Sequence, residues 1–130
     1  MEQKEIEISD DAKLTLTEDD YHEGMIECKD KNGKVLIAVE DICFIESIGK
    51  EVWVNTLDNK YRTSIRIYQF EKNLSPDNFL RISNSVIIGR NSIKHIRPAL
   101  SCKFYLTLKT GDVVDVTRTY FYKFKEFYGI

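Results

Sequence analysis

The chain has 130 residues, 42% hydrophobic and 31% charged, the size and balance of one globular domain that buries about two thirds of its unfolded surface. No apolar run approaches the ~20 residues needed to cross a bilayer, and the start, MEQKEIEISDD, has acids where a signal peptide is apolar. Membrane insertion is therefore not expected, and a cytoplasmic location is. The formal net charge of −2 averages two unlike parts: residues 1–34 hold five Lys against eleven acids, a net of −6, and residues 35–130 hold fourteen Lys and Arg against ten acids, a net of +4. A weakly basic body suits phosphate binding, with the acids kept in a separate arm, although the asymmetry alone equally fits two solvated halves.

Taken in order, residues 4–8 and 24–29 have the composition of edge strands, and residues 18–23 between them form a polar acidic loop. The KNGK run at 31–34 is a tight hairpin turn, because Asn-Gly accepts the positive φ angles of a two-residue loop. Strands are expected at 35–39 and 42–47, then a turn at Gly49, then a half-buried strand in which Val52, Val54 and Thr56 alternate with Trp53 and Asn55. Residues 57–60 (LDNK) make another hairpin turn. A short internal helix follows, capped by Thr63 or Ser64 and stopped by Pro76.

Further strands are expected at 79–83, 86–88, 93–97, 103–108 and 112–117, with Thr110-Gly111-Asp112 turning between the last two. At the C-terminus Tyr120, Phe121, Phe124, Phe127 and Tyr128 recur at i, i+1, i+4, i+7 and i+8, one stripe of a helix. The stripe packs on the sheet or, alternatively, forms a dimer or partner surface. The single candidate boundary lies near Lys34, dividing an acidic segment, 1–34, expected to add strands to the core, from the body, 35–130.

Enzyme chemistry finds little support. There is no glycine-rich phosphate loop and no GxSxG elbow, so a nucleotide enzyme or serine hydrolase is not expected. His22 stands among Asp19, Asp20 and Glu23, but consecutive loop residues seldom converge on one ion, and His95 has no acid or nucleophile nearby in sequence. Cys28, Cys43 and Cys102 form no CxxC spacing and are expected to be reduced. No metal and no cofactor are expected.

Positive evidence points to nucleic acid. Lys50, Arg81, Asn84, Arg90, Asn91 and Arg118 lie at strand ends or turns, and these residue types bond guanine, adenine or phosphate oxygens. Ser83, Ser85, Thr117 and Thr119 interleave hydroxyls suited to phosphate. One such residue merely protects a strand edge from aggregation; recurrence at the ends of three strands favours DNA.

Three segments in fixed order carry a family resemblance. Ile42-Cys43-Phe44-Ile45-Glu46-Ser47 with Gly49-Lys50 is an apolar strand ending in glutamate-serine and a basic turn. Phe79-Leu80-Arg81-Ile82-Ser83-Asn84-Ser85, then Ile87-Ile88, is the second, and Val116-Thr117-Arg118-Thr119-Tyr120 is the third. Together they resemble the LytTR family of bacterial DNA-binding domains, over roughly residues 35–130.

The resemblance implies a mainly β fold, a LytTR-like sandwich of stacked small antiparallel sheets with one short internal helix and a C-terminal helix, whose loops enter successive major grooves. The DNA-binding residues it implies, together with the strand-end reading, are Lys50, Ser83, Asn84, Ser85, Arg90, Asn91, Arg118 and Thr119. The family usually has asparagine at the position of Gly89 and often histidine at Ser83. The expectation is a stand-alone regulator without a receiver domain, homodimeric on promoter DNA, with a small membrane protein as inhibitor. The alternatives are a protein-interaction module of the same fold that has lost DNA binding, and a small-ligand sensor.

Overall fold

Phe104, Leu106 and Leu108 are buried while Lys103, Tyr105 and Thr107 are only partly covered, and this period of two makes Lys103–Leu108 a strand with one face on a core. Two other apolar runs, Ile42-Cys43-Phe44-Ile45 and Val86-Ile87-Ile88, do not alternate, because every one of these residues is buried. They sit in the middle of the molecule. The computed structural model describes residues 21–22 and 24–130.

Among these residues the strands are β1 (Tyr21–His22), β2 (Met25–Asp30), β3 (Gly33–Ala38), β4 (Phe44–Ile48), β5 (Glu51–Asn55), β6 (Lys60–Thr63), β7 (Phe79–Arg81), β8 (Val86–Gly89), β9 (Ile93–Ala99), β10 (Lys103–Leu108) and β11 (Val113–Val116). The α-helices are α1 (Ile67–Asn73) and α2 (Phe121–Tyr128). Eight strands form one sheet in the order β1-β2-β6-β5-β4-β8-β7, with β3 paired to β2, and a second sheet runs β11-β10-β9. All pairings are antiparallel. The protein is thus mainly β, with two antiparallel sheets and few helices.

The larger sheet separates two cores. Ile45 of β4, Val52 and Val54 of β5 and Ile87 of β8 join Ile26, Ile65 and Phe70 of α1 on one face. Phe44 of β4 and Val86 and Ile88 of β8 point the other way, into a cluster with Leu106, Leu108, Val116 and Phe124. The C-terminal aromatic stripe packs there: Phe121 stacks on Phe104 at 4.9 Å between centroids, and Phe124 lies 5.1 Å from Phe104. Gly129 closes α2 in the left-handed region at φ +68°, where glycine has no Cβ to clash.

Some expectations fall differently. Residues 4–8 lie outside the described residues. Tyr21–His22, expected inside a loop, pairs with Met25 and Ile26, and the β2–β3 hairpin spans the point where the charge changes sign. The segment Lys60–Thr63 is a strand that was not anticipated. Neither Thr63 nor Ser64 caps α1: the Thr63 hydroxyl donates to the Glu27 carbonyl at 3.1 Å and accepts from Ile65 N–H, holding β6 to β2. Arg66 takes the N-cap position, and its N–H donates to Gln69 Oε1 at 2.8 Å. Among the described residues no helix is long and apolar enough to cross a membrane.

Burial pushes the Cys28 thiol up to about 12 and also raises Cys43, so both behave as small core hydrophobes. Arg90 docks α2. Its Nε donates to the Asp77 carbonyl, its Nη1 to the Phe127 carbonyl at 3.1 Å, and its guanidinium stacks 3.9 Å from the Phe127 ring centre. Tyr128 returns a hydrogen bond from its hydroxyl to the Arg90 carbonyl at 2.8 Å. Arg90→Ala is expected to cost about 1–3 kcal/mol in chemical denaturation, because it removes two charge-assisted bonds and the stacking on Phe127 that dock α2.

Burial also raises the Tyr128 phenol from its ordinary value near 10 to about 12. The unfolded chain therefore ionises first, and the contribution is intact below pH ~10 and lost as pH rises towards ~12. Melting curves should show the wild type losing stability over that window relative to Tyr128→Phe.

Candidate nucleic-acid interface

Three turns meet at one end of the sheets. The first is the two-residue hairpin between β4 and β5, where Ile48 pairs with Glu51. Gly49 adopts φ +61°, a conformation costly for other residues, and Lys50 is left exposed at the tip. The Lys50 carbonyl accepts from Arg66 Nη1 at 3.1 Å, which ties the turn to the start of α1.

The second turn joins β7 to β8, and Arg81 shapes it from within. Its Nε donates to the Ser83 carbonyl at 3.0 Å, its Nη2 to the Asn84 carbonyl, and its Nη1 to Glu71 at 2.7 Å. A planar fork with fixed donor directions can hold several such acceptors at once. Ser83 is buried, and its hydroxyl accepts from Ser85 N–H at 3.2 Å. The turn therefore presents Asn84 to solvent and leaves Ser85 half-exposed. The third turn follows β11, where Arg118 and Thr119 are exposed at the start of a 3-10 turn leading into α2.

Backbone bonds hold the three side by side. Ser47 N–H donates to the Ser85 carbonyl at 2.8 Å, linking the first turn to the second, and Thr117 N–H donates to the Ile82 carbonyl at 3.0 Å, linking the second to the third. Lys50, Asn84, Ser85, Arg118 and Thr119 consequently lie on one exposed edge in that order. The second bond also crosses between the two sheets, since Ile82 follows β7 and Thr117 follows β11.

Arg90 and Asn91 are not brought to this edge. They follow the other end of β8, roughly 16 Å away at ~3.3 Å per residue. Arg81, one of the strand-end residues expected to face DNA, is turned inward to its own loop, and Ser83 is a turn former at 8% exposure.

Two residues at this end escaped the sequence analysis. Arg66 bonds the Lys50 turn, and Arg62, opposite Trp53 and Lys29 in the sheet, pairs with Glu51 at 2.8 Å. The period-two pattern Lys60-Tyr61-Arg62-Thr63 was the available signal for the strand that carries Arg62. His95 lies exposed on β9. Among the described residues no group of three or more His, Cys, Asp or Glu is placed to hold a metal ion.

The family model described as the LytTr DNA-binding domain matches residues 32–129. The chain belongs to the LytTR family. Its relatives include the sensory transduction protein LytT of Bacillus cereus, 34% identical over 86 residues, which are 66% of this chain and 35% of that protein. LytT of Bacillus subtilis is 28% identical over 109 residues, 82% of this chain and 45% of its own length. The transcriptional regulatory protein LytR of Staphylococcus aureus is 30% identical over 77 residues, 59% of this chain and 31% of that one. The chain therefore spans less than half the length of these relatives.

A solved structure, the LytTr DNA-binding domain of a methyl-accepting/DNA response regulator from Bacillus cereus, superposes with a TM-score of 0.77 at 25% identity. It covers 82% of this chain and 98% of its own. The chain is a LytTR DNA-binding domain, and the exposed edge is its candidate interface.

Arg81→Lys tests how the LytTR turn is held, because an ammonium cannot reproduce the fork. Amide exchange at Ser47 and Thr117, whose N–H groups donate into the second turn, should quicken several-fold while exchange at Ile45 stays unchanged. Unaltered exchange at both would show that the turn keeps its shape without the guanidinium.

Proposed function

We propose that this protein regulates transcription by binding double-stranded promoter DNA sequence-specifically, with the three-turn edge reading the major groove. The observation that carries this reading is the joining of the exposed Lys50, Asn84 and Arg118 turns through the Ser47–Ser85 and Thr117–Ile82 backbone bonds. Base reading needs side chains held in register by rigid elements, and the first two turns are anchored to β4 and β8, which bury side chains on both faces. Arg118 supplies a fork that bonds guanine at two atoms, and Asn84 an amide that pairs with adenine at two atoms. Lys50 reaches a base or a phosphate, and Ser85 and Thr119 bond phosphates. Arg90 acts through α2 and lies outside the edge.

The LytR relative of Staphylococcus aureus, a transcriptional regulatory protein, supports the same reading. One edge of three turns spans few base pairs, so two copies on repeated half-sites supply the remaining specificity.

A duplex selected from a random pool provides the test. On it, Arg118→Ala and Asn84→Ala should each cost about 1–3 kcal/mol, with much smaller losses on unrelated DNA. Log K should also fall with log salt by about 0.9 per phosphate neutralised. Equal losses on selected and unrelated duplexes would refute the assignment of base reading, and binding indifferent to salt would refute DNA as the ligand.

A further inference from the structure

The larger sheet is covered unevenly on the face that carries Phe44. Over β4 and β8 this face meets the second sheet and α2, whereas over β5, β6 and β2, among the described residues, Trp53 is half-buried and Arg62 and Lys29 are exposed. Register places Trp53, Arg62 and Lys29 in one row across β5, β6 and β2, because Trp53 pairs with Arg62 and Lys29 pairs with Arg62. Lys60, two residues from Arg62 on β6, shares the face, and its ammonium lies 5.5 Å from the Trp53 ring centre. Lys29, Lys31, Lys60 and Arg62 are all exposed.

These residues line a cleft of about 560 Å³ that includes Trp53. A second cleft, about 280 Å³, shares Lys29 and Arg62 and extends to Lys50 and Arg66. The two adjoin at these shared residues. Six cations line them against two acids, Asp30 and Glu51, and Glu51 is already paired with Arg62 at 2.8 Å. On a chain of net charge −2 this is a concentrated positive strip, and it begins at the reading edge.

We propose that this strip holds the phosphate backbone of the same duplex beyond the bases that are read, so that contact extends on the Lys50 side of the edge. The inference rests on the DNA reading above and adds a second class of contact to it. Three observations select a DNA backbone over a compact anion. The strip is exposed among the described residues, its cations are spread along it, and it meets the edge at Lys50. Along β6 it runs about 13 Å, the rise of about four nucleotides of one strand at 3.4 Å each. Cations on flexible stems suit contacts that neutralise charge and carry no sequence information.

The test uses the full chain with Lys29→Gln, Lys31→Gln and Lys60→Gln combined, leaving Lys50 and Arg66 intact. Binding is measured by fluorescence anisotropy over a salt series, on the selected duplex with long flanks and on one trimmed to the read bases. On the long duplex the triple variant should bind about tenfold more weakly at low salt. Its log K against log salt slope should be shallower by about 2 to 3, at 0.9 per phosphate. Preference for the selected over unrelated sequence should be unchanged, and hydroxyl-radical protection should shrink on one flank only. On the trimmed duplex the two proteins should bind alike. The corresponding triple Lys→Arg variant should behave as wild type, which separates charge from fold.

An unchanged slope on the long duplex, or an equal loss on the trimmed one, overturns the strip. Equal loss of sequence preference in Arg118→Ala and the triple variant overturns the division between reading and holding. Wild-type protein that binds no duplex overturns the DNA reading itself, and the strip with it.

Discussion

The strands Phe44–Ile48 and Val86–Gly89 send apolar side chains to both of their faces, and a pair of strands so substituted has to be covered twice. On one face the coverage is the curl of the same sheet with α1; on the other it is the second sheet with α2. Each buried Ile or Phe contributes about 1.5–3 kcal/mol relative to exposure, so neither covering layer can be left off. That requirement puts β7–β8 and β11 next to each other. The turns that follow them then share a backbone bond, and the exposed edge is a by-product of how the two cores are closed.

Arginine has two distinct uses here. Arg81 has its donors directed at carbonyls of its own turn and at Glu71, and Arg90 has its donors on two carbonyls and an aromatic ring. Both act as internal cross-links between segments that have no regular pairing. Arg118 stands exposed on a turn. Electrostatics would rank the three alike as cations, and only their surroundings separate a cross-link from a side chain left free to meet a ligand.

Much of this was legible in the sequence. The alternation in Lys103–Leu108, the Asn-Gly turn and the aromatic stripe at 120–128 fix local structure through short-range physics, and the three family segments identified the fold. The strand Lys60–Thr63 was missed because its pattern is short and its outward residues are long and basic, like a polar loop. The positions of Arg90 and Asn91 could not be inferred from spacing. They are only six and seven residues beyond Asn84, but β8 carries the chain across the sheet in between, and the direction of a strand is a property of topology. Arg66 was hidden for a related reason, since its partner is a carbonyl sixteen residues away.

The exposed edge draws on both cores, because Ile82 and Val116, beside its second and third turns, are buried in one and Val52, beside its first turn, is buried in the other. A protein with two cores can open one while the other persists, and fluctuations of this sort are graded by local stability. The edge is complete only when both are closed. A ligand that requires the whole edge therefore binds the fully closed state alone and, by mass action, removes partly open forms from the population. Bound DNA would act as an external tie between the two halves, making the domain more cooperative on its site than it is in solution.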